Sequence, residues 1–244
     1  MAIVQANGIS RYYMRASGGA NYFYAVQETD MILRGGEVTV LKGRSGSGKT
    51  TLLSMLAGLL TPSSGSVMLD DTDLYALPDD QLSRLRNERI AVIPQGKAAV
   101  ESLTVYENVL LPASLYPGAR ASDRGEIGRR AHELLERFGI AHLADSYPGE
   151  LSGGELRRTA IVRGLSGSPD IVMADEPTGD LDDENTVLVL EMMREEAARG
   201  AAVLIVTHEN AAEAYADRVL KMNAGVLTEE LTPAQTKQHC VPDK

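Results

Sequence analysis

One cysteine in 244 residues, Cys240, leaves no partner for an intrachain disulfide and suits a reducing compartment. No apolar run approaches the roughly 20 residues needed to cross a bilayer. The start, Met1-Ala2-Ile3-Val4-Gln5-Ala6-Asn7, has neither the basic opening nor the apolar centre of a secretory leader. Basic charge is in deficit: 24 Lys and Arg against 34 Asp and Glu give a formal net charge of −10. That balance disfavours duplex nucleic acid as a partner and direct docking on an anionic membrane. Internal repeats and low-complexity blocks are missing too. What remains is a chain with 43% hydrophobic residues, of a size that suits one α/β domain with its own core.

Turn residues divide the chain. Strand character is expected at Ile3 to Ala6, around Tyr22 to Val26 and at Glu37 to Lys42, with Gly18-Gly19 and Gly35-Gly36 as turns between them. Thr50 to Leu60 has helical leucine spacing and stops near Gly58 and Thr61-Pro62. Short strands follow at Ser66 to Leu69 and in Arg89 to Gln95. From Leu103 to Gly164 the period turns helical: Val105, Val109 and Leu110 form one stripe, and Ala131, Leu134, Leu135 and Phe138 another. The unbroken apolar runs Ile171 to Ala174 and Ala202 to Val206 suit parallel strands buried on both faces, with a crossover helix at Val187 to Ala198. A hairpin is expected at Arg218 to Met222 and Val226 to Thr228. Residues 1–230 read as one domain with a helical insertion at about 97–164, and 231–244 as a polar tail.

Three motifs carry chemistry. Gly43-Arg44-Ser45-Gly46-Ser47-Gly48-Lys49-Thr50 fits G-x-x-x-x-G-K-[ST] between an apolar strand and an amphipathic helix. Its glycines let backbone N–H groups curl around a phosphate, and the helix start adds its positive dipole end. Lys49 supplies charge to the β- and γ-phosphates, the Thr50 hydroxyl is placed for Mg²⁺, and Thr51 for the α-phosphate. Asp175-Glu176 ends the strand IVMA, at the edge where open α/β sheets bind ligands. Leu151-Ser152-Gly153-Gly154-Glu155 opens a helix, with capping-box spacing from Ser152 to Glu155. A helix tip with a hydroxyl and bare N–H groups is also an anion site. An ordinary solvated turn would account for Asp-Glu alone, and a plain helix cap for Ser152 alone. His132, His142 and His239 have no metal-ligand spacing and read as surface or packing residues.

In this order the motifs resemble those of the ABC-type ATPases, the cassettes that drive ABC transporters, over about residues 1–230. The resemblance implies an α/β P-loop NTPase fold of the ABC-ATPase kind: a mainly parallel core sheet, an N-terminal antiparallel β subdomain and an inserted α-helical subdomain. It implies ATP and Mg²⁺, with Thr50, Asp175 and Gln95 at the metal, partly through water. Glu176 becomes the residue that polarises the attacking water. Gln95, after the strand AVIPQ, becomes a switch glutamine. His208, after AVLIVT, becomes the histidine that bonds the γ-phosphate and the catalytic glutamate. Pro177-Thr178-Gly179-Asp180-Leu181-Asp182 matches the D-loop, with Asp180 and Asp182 near a dimer interface. Residues 151–155 would act on the nucleotide of a second subunit, so the resemblance implies a dimer. It also implies a separate transmembrane permease and a cytoplasmic place on the inner face of the membrane through it. Tyr12, in Ile9-Ser10-Arg11-Tyr12, takes the A-loop place against adenine. Tyr13, Tyr22, Phe23 and Tyr24 stand nearby, and sequence does not separate them from it.

Within the family, ADEPTG and LTVYENVLLP look most like the macrolide-export, lipoprotein-release and peptide-antibiotic-resistance group. Three features depart from its pattern. Gly96-Lys97-Ala98 replaces aromatic or polar residues after the glutamine, Leu156 stands where glutamine is frequent, and Gly164 with Gly167-Ser168 loosens an Ala-rich stretch. Two rivals remain. A non-transport ABC ATPase of the repair or translation type would bring coiled-coil insertions or a second cassette. A P-loop small-molecule kinase would lack residues 151–155 and the late histidine.

Overall fold

In the computed structural model, which describes residues 3–14, 22–96, 98–116, 124–179 and 181–230, the chain opens with two long antiparallel strands, β1 (Ile3–Met14) and β2 (Tyr22–Arg34). They pair from Ile3 with Arg34 to Met14 with Tyr22. Then come β3 (Val38–Lys42), α1 (Lys49–Leu56), β4 (Ser64–Leu69), β5 (Thr72–Asp73), α2 (Asp79–Arg89) and β6 (Ile90–Ile93). Three helices follow: α3 (Val105–Leu115), α4 (Arg124–Arg137) and α5 (Gly153–Leu165). The chain continues through β7 (Ile171–Asp175), α6 (Asp183–Ala198), β8 (Ala202–Thr207), β9 (Arg218–Asn223) and β10 (Val226–Glu230). The Gly18-Gly19 turn, Lys97, Asp180 and the 231–244 tail with Cys240 lie outside the described residues.

The strands form two sheets. The antiparallel one has the order β2-β1-β4-β5, and the other the order β10-β9-β3-β8-β7-β6. In the second sheet β9, β3, β8, β7 and β6 run parallel, and only β10 is antiparallel, at the edge. Alternation explains its unbroken apolar runs. Val172, Ala174, Val203 and Ile205 point into the core beneath α3–α6, while Ile171, Met173, Ala202, Leu204 and Val206 point into the core shared with α1 and the antiparallel sheet. Strands buried on both faces need no polar side.

Differences from the sequence reading have local causes. Strands β1 and β2 run past Ala6 and Val26 because hairpin pairing continues through register shifts between Ala6 and Tyr12. Helix α2 carries Leu82 as its single buried residue and so shows no apolar stripe. It is anchored by its side chains instead: Arg86 donates to the Gly58 carbonyl at 2.6 Å, and Arg89 pairs with Asp70 and Asp170. Gly164 does not loosen its helix. A Cβ there would stand 3.0 Å from Ile93 Cγ1, so the glycine lets α5 lie close against β6.

Candidate nucleotide site

The loop between β3 and α1 is shaped by its glycines. Gly48 has φ +105, and a Cβ on it would come within 2.0 Å of the Ala25 carbonyl oxygen. Any side chain would therefore move the loop or β2. Lys49 begins α1 and is 7% exposed. Its ammonium donates to the carbonyls of Gly43 at 2.8 Å and Arg44 at 3.2 Å, across the mouth of the loop. The next residue, Thr50, donates its hydroxyl to Asp175 Oδ2 at 2.7 Å. That bond spans from the start of α1 to the end of β7 and brings two distant motifs together. Burial pushes the Asp175 carboxyl up, and the Thr50 hydrogen bond works against it.

Glu176 follows at the sheet edge and is 8% exposed. Its carboxylate accepts from the Thr207 hydroxyl at 3.1 Å, and both its oxygens lie 3.0 Å from His208 Nδ1. The Glu176 carboxylate holds the His208 imidazole protonated to higher pH than its usual value of about 6.5, first by hydrogen bonding and then by charge. A raised folded-state value means that the pair is complete below the ordinary histidine pKa and is lost as pH rises through the raised one. An NMR titration of His208 is expected to show a midpoint above the ordinary value, falling back toward it in Glu176→Gln. An unchanged midpoint in the variant would mean that the two side chains do not pair in solution.

These residues line one cavity of about 730 Å³. Arg44, Ser45, Gly46, Gly48, Lys49, Thr50 and Thr51 form its floor, Gln95, Asp175, Glu176 and His208 one wall, and Tyr13, Phe23 and Ala25 the other. Tyr12, the residue expected against adenine, does not line it, and Tyr13 does. The register shifts at Arg11 and Tyr12 set the face of each side chain. Tyr13 pairs with Phe23 on the cavity side, while Tyr12 packs edge-on against Tyr22 and Tyr24 at 5.1 and 5.8 Å.

The segment 151–155 lies off the phosphate-loop cavity. Ser152 caps α5 in a full capping box with Glu155 and is exposed. The Ser152 hydroxyl and N–H hold the Glu155 carboxyl below its usual range. Leu151 packs in the core. None of residues 151–155 lines the large cavity; Gly153 lines a smaller one of about 340 Å³ beside it, with Gln95, Glu176 and His208. Asp182 caps α6, accepting from the Asn185 N–H at 2.8 Å, and lines neither cavity. Three contacts were absent from the sequence reading. Thr207 steadies Glu176, Thr178 donates to Glu209 at 2.7 Å, and Arg157 reaches the backbone behind Glu176. Thr207 stands directly before His208 and so had a signal; the other two depend on long-range packing.

A glycine loop at a strand–helix junction, its lysine, and a carboxylate pair at the neighbouring strand end define a P-loop nucleotide-binding protein. Comparison with known proteins refines this. A family model described as ABC transporter matches residues 26–179. The lipoprotein-releasing system ATP-binding protein LolD of Shewanella frigidimarina is 37% identical over 227 residues, 93% of this chain and 92% of that one. The macrolide export ATP-binding/permease protein MacB of Aggregatibacter actinomycetemcomitans is 34% identical over 97% of this chain but only 36% of its own length. The chain thus spans nearly all of the first relative and about a third of the second. A dimeric ATP-binding cassette solved in a post-hydrolysis state with ADP and Pi superposes with a TM-score of 0.84 at 30% identity, covering 93% of this chain and 97% of that one. The chain belongs to the ABC transporter ATP-binding family, and ATP is its nucleotide.

Proposed function

We propose that this chain is the ATP-hydrolysing subunit of an export or mechanotransmission transporter of the lipoprotein-release and macrolide-export kind, closing as a dimer on ATP and driving a separate permease. The observation that carries the reading is the Glu176 carboxylate, buried beside the phosphate loop and held by Thr207 and His208. The loop amides and Lys49 bind and orient the phosphates. Glu176 orients the attacking water and takes up its proton, and His208 keeps the carboxylate aimed while facing the γ-phosphate. Positioning and charge neutralisation carry most of phosphoryl transfer.

The donors at the Thr50–Asp175 contact are a hydroxyl and a carboxylate, with the Gln95 amide on the same wall. Such a hard, all-oxygen set fits Mg²⁺, which is usually held by one or two carboxylates, water and substrate phosphate. Bound there, the ion would neutralise charge on the β- and γ-phosphates. Ser152, Gly153 and Gly154 serve the nucleotide of a second protomer, and Asp180 and Asp182 belong to the same interface. The exposure of the Ser152 tip and its separation from the phosphate loop of its own chain support this.

Among the described residues no helix is long and apolar enough to cross a membrane; in this reading the force passes to the permease. A groove of about 390 Å³ between α2, α3 and α5, with exposed Leu59 and Leu115 on its rim, supports docking of a permease segment there. In this reading the chain works at the inner face of the membrane, through its permease. Adenine stacks on Tyr13. Tyr13→Ala is expected to weaken ATP binding by the roughly 1–3 kcal/mol of a base–aromatic stack, about five- to 150-fold, while Tyr12→Ala leaves affinity nearly unchanged. Equilibrium titration with ATP checks both, and equal losses in the two variants would overturn the assignment.

A further inference from the structure

The backbone at Glu176 is left-handed, with φ +48. For a residue other than glycine such a conformation costs about 1–3 kcal/mol and persists only where the surroundings over-determine it. Two backbone bonds contribute: the Glu176 N–H donates to the Val206 carbonyl at 2.7 Å, and its carbonyl accepts from the Gly179 N–H at 3.2 Å. The remaining constraint comes from a side chain. Arg157, 6% exposed, donates Nη2 to the carbonyls of Asp175, at 2.9 Å, and of Glu176. Its Nε reaches the Pro177 carbonyl at 3.2 Å, and its Nη1 the carbonyl of Pro94, the residue before Gln95. Three successive carbonyls are thereby gathered on one guanidinium, whose planar fork of five donors suits such a cage.

We propose that Arg157 is a positioning residue for hydrolysis: it holds the left-handed turn that presents Glu176 and fixes it to α5 and to the approach of Gln95. Arg157 does not line the nucleotide cavity but the smaller one beside it, with Gln95, Glu176 and His208, and its hydrogen bonds to four backbone carbonyls tie it to Glu176 through the backbone. Its place on α5 has a consequence. Ser152 caps that helix, and Arg157 sits little more than one turn beyond it. The helix offered at its tip to a second protomer's nucleotide thus grips the base of its own site. A shift of α5 is felt at Glu176 and at Gln95 together. The proposal rests on Glu176 being the hydrolytic base.

The test compares R157M, R157K, E176Q and the E176Q/R157M pair in the full chain, by single-turnover hydrolysis and equilibrium ATP titration. R157M is expected to lower the hydrolysis rate about 10²-fold, as a misplaced group does, with ATP affinity held within about twofold. R157K, which restores charge and part of the donor set, should recover some of the loss. In the E176Q background R157M should cost nothing more, because a residue that acts only through Glu176 has nothing left to position. An unchanged rate in R157M, a parallel loss of rate and affinity, or lesions that multiply in the pair would overturn the role. Should R157M fail to fold, R157K decides: a lowered rate at unchanged affinity supports the proposal, and a wild-type rate refutes it. A normal E176Q would remove the base assignment and the proposal with it, whereas an inactive E176Q beside a normal R157M would remove the proposal alone.

Discussion

Glu176→Gln is expected to abolish nearly all ATP turnover while leaving ATP binding intact. The amide keeps the size of the carboxylate and can still bond Thr207 and His208. It cannot take a proton from water, and general-base catalysis contributes about 10²–10⁴-fold. The substitution also removes a negative charge from the wall that faces the γ-phosphate. Nucleotide should therefore stay bound, and the closed dimer should persist because nothing cleaves the phosphate that bridges it. Phosphate-release assays measure the first effect, and gel filtration with light scattering in ATP measures the second. A variant that turns over normally and elutes as a monomer would sink the assignment.

Ser152→Arg should destroy not the site of its own chain but the one built on its partner's Lys49. Ser152 is exposed and its cap is worth about 1 kcal/mol, so the chain should still fold; the bulk and charge would fall on the nucleotide across the interface. Mixed dimers separate the alternatives. A Ser152→Arg chain paired with a Lys49→Ala chain keeps one intact composite site and should retain roughly half the wild-type rate. A chain bearing both lesions, paired with a wild-type chain, keeps none and should be inactive. Sites complete within one chain would give the reverse pattern, and that result would end the dimer mechanism.

How legible each feature was follows from how far apart in the chain its parts lie. GRSGSGKT, IVMADE and AVLIVTH each combine a strand, its turn and the reactive residue within a short span, so local pattern placed Lys49, Asp175, Glu176 and His208 at one sheet edge. Tyr12 and Tyr13 could not be separated, because a register shift at a bulge reverses which face each residue takes. Helix α2 was missed because it is anchored by its arginines, Arg86 on the Gly58 carbonyl and Arg89 on Asp70 and Asp170, and not by an apolar stripe. Gly164 read as looseness, whereas its missing Cβ permits close packing of α5 on β6.

The sequence by itself determined the fold class, the family and the cluster of phosphate-loop, carboxylate and histidine residues, because those depend on hydrophobic period and on motifs a few residues long. Tertiary structure alone decided which tyrosine lines the phosphate-loop cavity and that the Thr50 hydroxyl meets Asp175. It also decided that a buried arginine from the capped helix grips the backbone of Glu176. The last two contacts join residues 125 and 19 positions apart, and no local preference of the chain encodes such a meeting; it exists only once both sheets and their helices are packed.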